Sequence, residues 1–424
     1  MTTSRIPTRA LAAPAEVPIR PREYFIDWLR ILALGLLMVY HVGMAYVGWT
    51  WHVKSAWSAT MATAVEPWMR LAAPWRMTLL FVVSGMALSL MLQRRAAEAA
   101  AGSGGGWLRQ RARRLLLPLL TGVVLVVPVQ SYFEVRQFHG YAGSFAEFLQ
   151  LYFTGHGGFC NAARGCLILP TWNHLWFLPY LLVYTAVLAG VLWRWPQALD
   201  PAAAALVRAM AGWRLVAGPI AWLVLTRLVL APLFGQTHAL VDDWFAHAQY
   251  AAALALGVLL VRPAAAALLL PRFSQLRWLA LALGLLCWAL LVATQAGPAW
   301  RALPWSVMQW CGVVAAIGFA RLHLGRDHAW RRYLSGAVFP VYLVHQTVTV
   351  AAVALLAPLR LGFAAEAALL LGLTFTAGIV AYEGVRRVPR LGEWFGVAEP
   401  QRVPPAPAGG RAYRHGRSHG NAGA

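Results

Sequence analysis

The stretch REYFIDWLRILALGLLMVYH, residues 22–41, decides the class of fold. It is mostly apolar and long enough to enter a bilayer, yet it carries Asp27, Arg30 and His41. An ionisable side chain that faces hydrocarbon raises the free energy of the folded protein by at least a few kcal/mol. The stretch therefore predicts a membrane helix whose polar residues face the interior of a helical bundle or a wet cavity.

The composition of the whole chain is that of an integral membrane protein. Of its 424 residues, 60% are hydrophobic and 12% are charged, whereas about 25% of the residues in a soluble domain are charged. The net charge of +21 does not indicate nucleic-acid binding, because the basic residues lie mostly between apolar segments. We therefore expect a polytopic protein whose partner is the lipid bilayer and not a nucleic acid.

Ten runs of about 20 mostly apolar residues predict membrane-spanning helices. They are 25–47, 71–92, 114–133, 172–193, 213–233, 245–262, 277–296, 304–324, 334–357 and 362–385. The segment 145–153 is too short to cross a bilayer and is expected to lie along the interface. The predicted fold class is all-α, a polytopic bundle of about ten transmembrane helices.

The placement of arginine predicts the orientation of this bundle. Arginines recur at every connection on the N-terminal side of the membrane, and they are sparse on the other side. Lys54, the only lysine, lies on that other side. Because basic residues are retained in the cytoplasm, we expect both termini to be cytoplasmic in a multi-pass protein of the inner membrane.

Two basic tails are expected to flank one membrane domain. Residues 1–22 contain no apolar core, so no cleavable signal peptide is evident and a cytoplasmic tail is predicted. Residues 23–390 contain all the predicted spans. Residues 391–424 are rich in Pro, Gly, Arg and His, a composition that predicts disorder.

The polar residues of the first helix share one stripe. At 100° per residue, Asp27, Arg30, Leu34, Met38 and His41 fall on the same side, and the cation and the imidazole are roughly 16 Å apart along the axis. An imidazole suits proton transfer at neutral pH. The alternative is an ion pair that anchors the helix and a histidine that only bonds a neighbouring helix. Spacing alone does not decide between them.

Other polar residues extend the candidate site. His174 lies between two tryptophans in TWNHLWFL (171–178), and Tyr342 and His345 share a helix face in FPVYLVHQTV (339–348). Each is a candidate contact for a substrate or an oxyanion, and each is also compatible with structural packing.

A dense basic cluster precedes the third span. Arg111, Arg113 and Arg114 lie in RQRARRLLLP (109–118). Arginine binds phosphate through two parallel hydrogen bonds, so the cluster suits a polyphosphate ligand. The alternative is that these residues serve topology alone.

The cysteines and the metal motifs give weaker indications. Cys160 and Cys166 lie in an outer segment, where a disulfide is chemically allowed and two free thiols are an equal alternative. Cys287 and Cys311 lie in spans and are expected to serve packing. No carboxylate–histidine motif such as HExxH is present, so no metal is expected.

Taken together, these residues resemble the membrane-bound acyltransferase 3 family. Arg30 and His41, with ten residues between them in the first span, match that family's signature. Further matches follow in order: REYFIDWLR, WHVKSA, WRMTLLFVVSG, the Arg111-x-x-Arg114-x-x-x-Pro118 run, HLWFL, YLVHQTV and YEGVRRVP. The likeness covers residues 22 to about 390, although 195–335 offers no match. Within the family it is closest to members that succinylate periplasmic glucans.

The resemblance implies an O-acyltransferase that moves a succinyl or acetyl group from cytoplasmic acyl-CoA to a hydroxyl of a periplasmic glucan or other glycan. Acyl-CoA would be a substrate and no cofactor would be permanently bound. A glycan-synthesising protein is a candidate partner. The roles expected for such a reaction are phosphate binding for Arg111, Arg113 and Arg114, a place just inside the donor channel for Arg30, and general base for His41. Asp27 would orient Arg30 or form an ion pair with it, and Tyr342, His345 or His174 would contact the oxyanion or the acceptor.

A transporter or flippase that exports a glycan or a lipid-linked precursor without acyl chemistry is the competing hypothesis. Ionisable residues inside a membrane also mark the paths of solutes and protons. Transporters often contain inverted repeats and paired broken helices, and neither is visible in this sequence.

Overall fold

A computed structural model of the protein describes residues 23–100, 106–294 and 297–397. The predicted tail 1–22 and residues 398–424 of the predicted tail 391–424 lie outside these ranges, so the predictions made for them are not addressed by the structure, whereas residues 391–394 belong to a helix. Within the described ranges the chain is almost entirely helical. The helices are α1 (Tyr24–Met44), α2 (Ser58–Ala72), α3 (Arg76–Ala100), α4 (Trp107–Thr121), α5 (Val127–Phe138), α6 (Phe145–Phe153), α7 (Phe177–Arg194), α8 (Leu199–Ala209), α9 (Arg214–Val229), α10 (Ala231–Phe234), α11 (Trp244–Leu260), α12 (Pro263–Ala293), α13 (Pro298–His323), α14 (Ala329–Leu356), α15 (Phe363–Val385) and α16 (Pro389–Trp394).

Nine helical segments in the described part of the chain are long and apolar enough to cross a membrane. They coincide with nine of the ten predicted spans. The remaining prediction, 245–262, falls on α11, which is apolar but has only 17 residues. The all-α membrane bundle is therefore confirmed, whereas the count of ten and the cytoplasmic termini stay predictions.

Half of helix α1 is buried inside the bundle, while Leu32 and Val39 on its other side are exposed. It packs against α14, α3, α13 and α15. Its contact with α14 matters most for the site, since it places the C-terminal half of α1 beside the middle of α14. We call the two ends of the bundle the Arg30 end and the His41 end, after the polar residues that α1 carries there.

Close contact between α3 and α11 requires glycine on both helices. A Cβ added at Gly85 would lie 2.1 Å from the carbonyl oxygen of Leu254, and one added at Gly257 would lie 1.9 Å from that of Val82. Either distance is a severe overlap, so the backbones approach one another only because neither residue has a side chain.

A π-helical turn, Gly122–Val126, joins α4 to α5. Pro128 follows it and cannot donate a backbone hydrogen bond. Two carbonyl groups of this turn accept side-chain hydroxyls instead: Val123 from Tyr152 at 2.9 Å and Val126 from Thr347 at 3.1 Å. The turn sets the direction of α5, which carries polar residues into the His41 end. Such turns are frequent at functional sites.

Two segments cover the His41 end. Residues 45–57 fold back over the end of α1, where the Ser55 amide donates to the carbonyl of Ala45 at 3.1 Å. Helix α6, which coincides with the predicted interfacial segment, begins with a capping box formed by Ser144 and Glu147. After it, strands Cys160–Asn161 and Gly165–Cys166 pair, and the structure joins Cys160 to Cys166 in a disulfide.

Candidate active site

His41 and His345 form a hydrogen-bonded pair at the His41 end of the bundle. Nδ1 of His41 lies 2.9 Å from Nε2 of His345, and the two rings stack with centroids 5.0 Å apart. The residues are 304 positions apart in the sequence, and the contact between α1 and α14 brings them together. Two residues that the sequence predicted separately therefore act as one unit.

The hydrogen-bond geometry assigns the tautomers of this pair. Nδ1 of His345 lies 2.7 Å from the carbonyl oxygen of Tyr342, and a carbonyl only accepts, so this nitrogen carries a hydrogen. His345 is fully buried with no carboxylate bonded to it, which favours the neutral ring. Its Nε2 then accepts from Nδ1–H of His41. Nε2 of His41 is left with a free lone pair, the state that a general base requires.

His174 and Tyr342 lie beside this pair, but their own donors are engaged. Nε2 of His174 lies 3.1 Å from the carbonyl oxygen of Leu343, and the Tyr342 hydroxyl donates to the carbonyl oxygen of His174 at 2.7 Å. The geometry thus gives both residues a bracing role between α14 and the start of α7. Contact with an oxyanion would require one of these bonds to break, and that predicted role is untested.

Gln130 on α5 organises the polar residues behind His174. Its Nε2 donates to Nδ1 of His174 at 3.2 Å, and its Oε1 accepts from Asn173 at 3.3 Å and from Gln346 at 3.1 Å. The sequence analysis did not select Gln130. Its position in an otherwise apolar span was the available indication, because a buried amide needs several partners.

A second polar cluster faces the His41 pair from the covering segments. Nδ1 of His52 lies 2.5 Å from Oε2 of Glu134, and a guanidinium nitrogen of Arg164 lies 3.9 Å from Oε1 of the same carboxylate. Arg164 also donates to the carbonyl oxygen of Trp51 at 2.8 Å, and the Trp51 ring stacks with the His41 ring at a centroid distance of 6.5 Å. This cluster therefore holds an indole over the candidate base.

Lys54 fixes the segment that carries Trp51 and His52. Its Nζ donates to the carbonyl oxygens of Met44 at 2.7 Å and Val47 at 2.6 Å, at the C-terminal end of α1. Burial and, to a smaller extent, the positive charge of Arg164 together lower the pKa of Lys54 to about 8. A neutral amine retains two hydrogens, which is enough for both carbonyls.

At the Arg30 end, the carboxylate of Asp27 is bonded to the guanidinium of Arg331 on α14. Arg331 is only 1% exposed, and it also donates to Asp327 at 2.8 Å and 2.9 Å. The sequence proposed Asp27 as the residue that orients Arg30, and the structure adds Arg331 as a partner of its carboxylate. Arg331 lies in 195–335, where no motif had been recognised.

The basic cluster on α4 separates into two different environments. Arg111 lies within electrostatic range of both Arg114 and Arg30, and its Nε is buried without a hydrogen-bond partner. Arg113 points elsewhere and pairs with Glu393 at 3.1 Å, and the Arg114 guanidinium lies 5.8 Å from the Phe339 ring centre. Arg111, Arg114 and Arg30 thus form one cationic group, from which Arg113 is set apart.

The stripe of α1 is polar at its ends and apolar in its middle. Leu34 is 7% exposed and Met38 is 2% exposed, and both belong to the main hydrophobic core. Packed apolar side chains therefore occupy this face between Arg30 and His41. The predicted stripe thus consists of two polar sites separated by about two turns of packed side chains.

Across residues 23–100, 106–294 and 297–397, no three His, Cys, Asp or Glu residues are grouped so that they could bind a metal ion.

Two curated relatives are named glucans biosynthesis protein C. The protein of Salmonella gallinarum is 27% identical over 193 residues, which cover 44% of this chain and 45% of that protein. The protein of Escherichia coli strain K12 is 28% identical over 173 residues, 41% of this chain and 40% of that protein. The matched region thus spans less than half the length of either relative. No solved structure shows significant similarity to the chain.

A family model described as an acyltransferase domain, of the acyltransferase 3 type, matches residues 23–383. The match includes the His41–His345 pair, the cationic group of Arg30, Arg111 and Arg114, and every helix that contributes to either. The chain belongs to the acyltransferase 3 family.

Proposed function

We propose that the protein transfers a succinyl or acetyl group from cytoplasmic acyl-CoA to a hydroxyl group of a periplasmic glucan or a similar glycan. The observation that carries the proposal is the His41–His345 pair, because it gives His41 the tautomer of a general base. The names of the curated relatives support a glucan as acceptor. The basic excess on the Arg30 side supports a cytoplasmic donor.

The donor's phosphates would bind at the Arg30 end. Arg111 lies close enough to Arg114 and to Arg30 to be repelled by both, and a polyphosphate would relieve that repulsion. Arg113 already pairs with Glu393, so we assign it at most a peripheral part. The donor's long, thin arm would then extend beside α1 toward His41.

The buried middle of α1 must move for the arm to pass. Met38 is the residue best suited to this, since an unbranched thioether chain changes rotamer easily. Leu34 and Met38 would close behind the donor and keep water from the thioester. The proposal therefore includes an opening of the core between the two polar sites.

In the reaction, Nε2 of His41 takes the proton of the acceptor hydroxyl while the hydroxyl oxygen attacks the thioester carbonyl carbon. The C–S bond then breaks, the new ester remains on the glycan, and the departing thiolate takes the proton back from His41. His345 accepts the Nδ1–H bond throughout and stabilises the transient imidazolium. General-base catalysis of this kind contributes about 10²- to 10⁴-fold.

The test uses purified protein in proteoliposomes, with labelled succinyl-CoA or acetyl-CoA on one side and glucan on the other. We expect label on the glucan with the wild type, and a loss of about 10²- to 10⁴-fold with His41→Ala. Movement of glucan without label would support the transporter hypothesis instead. Full activity of a folded His41→Ala variant would contradict the role of His41.

The donor site has its own matched pair of variants. Arg111→Gln should weaken acyl-CoA binding, because it removes one of the guanidinium groups that would bind the donor's phosphates. Arg113→Gln, two residues away, should leave binding nearly unchanged, because its guanidinium pairs with Glu393. Titration with a non-hydrolysable acyl-CoA analogue measures both. If both variants bound the analogue as tightly as the wild type does, the cluster would serve topology alone.

A further inference from the structure

Arg76 places a positive charge inside the His41 end of the bundle. It is the first residue of α3, and one of its guanidinium nitrogens donates to the carbonyl oxygen of Ala73 at 3.3 Å. Its Nε is buried and has no hydrogen-bond partner. In the part of the chain that the structure describes, no carboxylate oxygen lies within 4.0 Å of this guanidinium.

The Arg76 guanidinium lies close to the candidate base. Its central carbon is 3.3 Å from the centre of the Tyr40 ring, and the Tyr40 and His41 ring centres are 6.2 Å apart. The distance from Arg76 to the His41 ring is therefore no greater than the sum of these two separations. The two groups also lie within electrostatic range of one another.

An arginine in this position is expected to bind an anion. Stacking on Tyr40 offsets part of the cost of removing the charge from water, but a π face does not neutralise it. Ionisable residues inside membrane bundles typically line the path of a substrate. Since the described residues supply no carboxylate, a bound substrate is the remaining source of negative charge.

The geometry distinguishes two anions that an acyl transfer could provide. One is the oxyanion of the tetrahedral intermediate, which forms at the carbonyl carbon beside Nε2 of His41. Arg76 contacts Tyr40, the residue before His41, and the side chain of Tyr40 is rotated by about 100° around α1 from that of His41. Arg76 is thus displaced sideways from the reacting carbon.

The other anion is a carboxylate at the far end of the acyl group. In a succinyl group it lies about 4 Å beyond the thioester carbonyl carbon, since three C–C bonds separate the two carbons. That length suits a cation set to one side of the reacting centre. An acetyl group carries no such charge and would leave Arg76 without an anion.

We propose that Arg76 binds the distal carboxylate of a dicarboxylic acyl donor, such as succinyl-CoA, and thereby selects it over acetyl-CoA. This inference rests on the acyl-CoA reaction proposed above. Arg76 acts here as a specificity-determining residue, and the proton transfer at His41 is the same for both donors.

The experiment compares kcat/KM for succinyl-CoA and acetyl-CoA in the same proteoliposomes. We expect the wild type to prefer succinyl-CoA. Arg76→Gln should lower succinyl transfer about 10- to 150-fold, the range for loss of a hydrogen-bonded charge, while acetyl transfer stays within about threefold, the scatter of a neutral substitution. Retained acetyl transfer also shows that the variant is folded.

Arg70→Gln is the matched control. Arg70 precedes Arg76 by six residues and lies near the end of α2, but its guanidinium already pairs with Glu66 at 2.6 Å. Arg70→Gln should leave the ratio of succinyl to acetyl transfer unchanged. Arg76→Lys keeps the charge without the planar fork, so its ratio should fall between those of the wild type and Arg76→Gln.

Three results would overturn the inference or its basis, and they differ from one another. An unchanged donor ratio in Arg76→Gln would remove the specificity role. An equal loss with both donors, repeated in Arg76→Lys, would place Arg76 on a group common to both, such as the oxyanion. A wild type that transfers neither group would contradict the proposed function itself.

Discussion

The hydrogen on one buried nitrogen, Nδ1 of His345, determines what His41 can do. That hydrogen is held by the carbonyl oxygen of Tyr342, so the opposite nitrogen of the ring must accept. His41 therefore presents its free lone pair on Nε2, away from the pair. Ring nitrogens are distinct, and a neighbour commonly sets the tautomer of a histidine that transfers protons.

This relation predicts different effects for two substitutions of His345. Gln at position 345 can still accept from Nδ1–H of His41, so we expect a loss of kcat of about tenfold. Leu cannot accept, and the loss should approach about 10²-fold or more, with little change in KM. Steady-state kinetics on both variants measures the difference. Equal losses for Gln and Leu would argue against the tautomer assignment.

Lys54 predicts a pH dependence of stability. Its pKa is lowered to about 8 in the folded protein, whereas an unfolded lysine titrates at about 10.4. Between these values the unfolded state holds a proton that the folded state has lost, so the free energy of unfolding rises with pH. Below about pH 8 both states are protonated and this contribution is constant.

The measurement is the apparent Tm in detergent, compared between wild type and Lys54→Met. The apparent Tm of the wild type should rise relative to that of Lys54→Met as the pH increases from about 8 to about 10. Lys54→Arg serves as the control, because arginine does not titrate in this range. A constant difference between wild type and Lys54→Met would show that Lys54 titrates normally.

At the scale of helices, the glycines between α3 and α11 determine how closely these helices pack. The carbonyl oxygens of Val82 and Leu254 occupy the space that a Cβ would need on the facing helix. This contact bears on the role proposed for Arg76, because Arg76 is the first residue of α3 and α11 packs against α3.

We expect Gly257→Ala to destabilise the bundle by about 1–3 kcal/mol, the usual effect of overpacking. Gly190→Ala on α7 is the control. A Cβ at Gly190 would meet nothing within 4 Å, so this change should be neutral or stabilise by up to about 1 kcal/mol. Unfolding in a denaturing detergent series compares the two. Similar stabilities would mean that α3 and α11 can separate at little cost.

At the scale of the whole molecule, the two polar sites at opposite ends of α1 give the protein its direction. The cationic group of Arg30, Arg111 and Arg114 lies at one end, and the His41–His345 pair lies at the other, with packed Leu34 and Met38 between them. A donor and an acceptor that approach from opposite sides of a membrane would meet at the second site.

This arrangement predicts the orientation in the cell. A reporter that is active only in the cytoplasm should work when fused after residue 397, and it should fail when inserted at Gly140, in the outer segment. Basic residues are retained in the cytoplasm, and the Arg30 end carries most of them. The reverse pattern would place the cationic group outside and exclude a cytoplasmic acyl-CoA as donor.

The sequence by itself determined the membrane class, nine of the spans, the family, and Asp27, Arg30 and His41 as polar residues of α1. These follow from hydropathy and helical periodicity, which are local properties of the chain. The sequence also led to His174, Tyr342 and His345 as candidates, but it did not show that only His345 bonds to His41.

Only the tertiary structure decided which polar faces meet. His41 with His345, and Asp27 with Arg331, each join positions 304 residues apart. Periodicity tells which side of a helix is polar, but the partner of that side depends on packing such as the glycine contacts of α3 and α11. The tertiary structure also buries Leu34 and Met38, which lie between the two polar sites of α1.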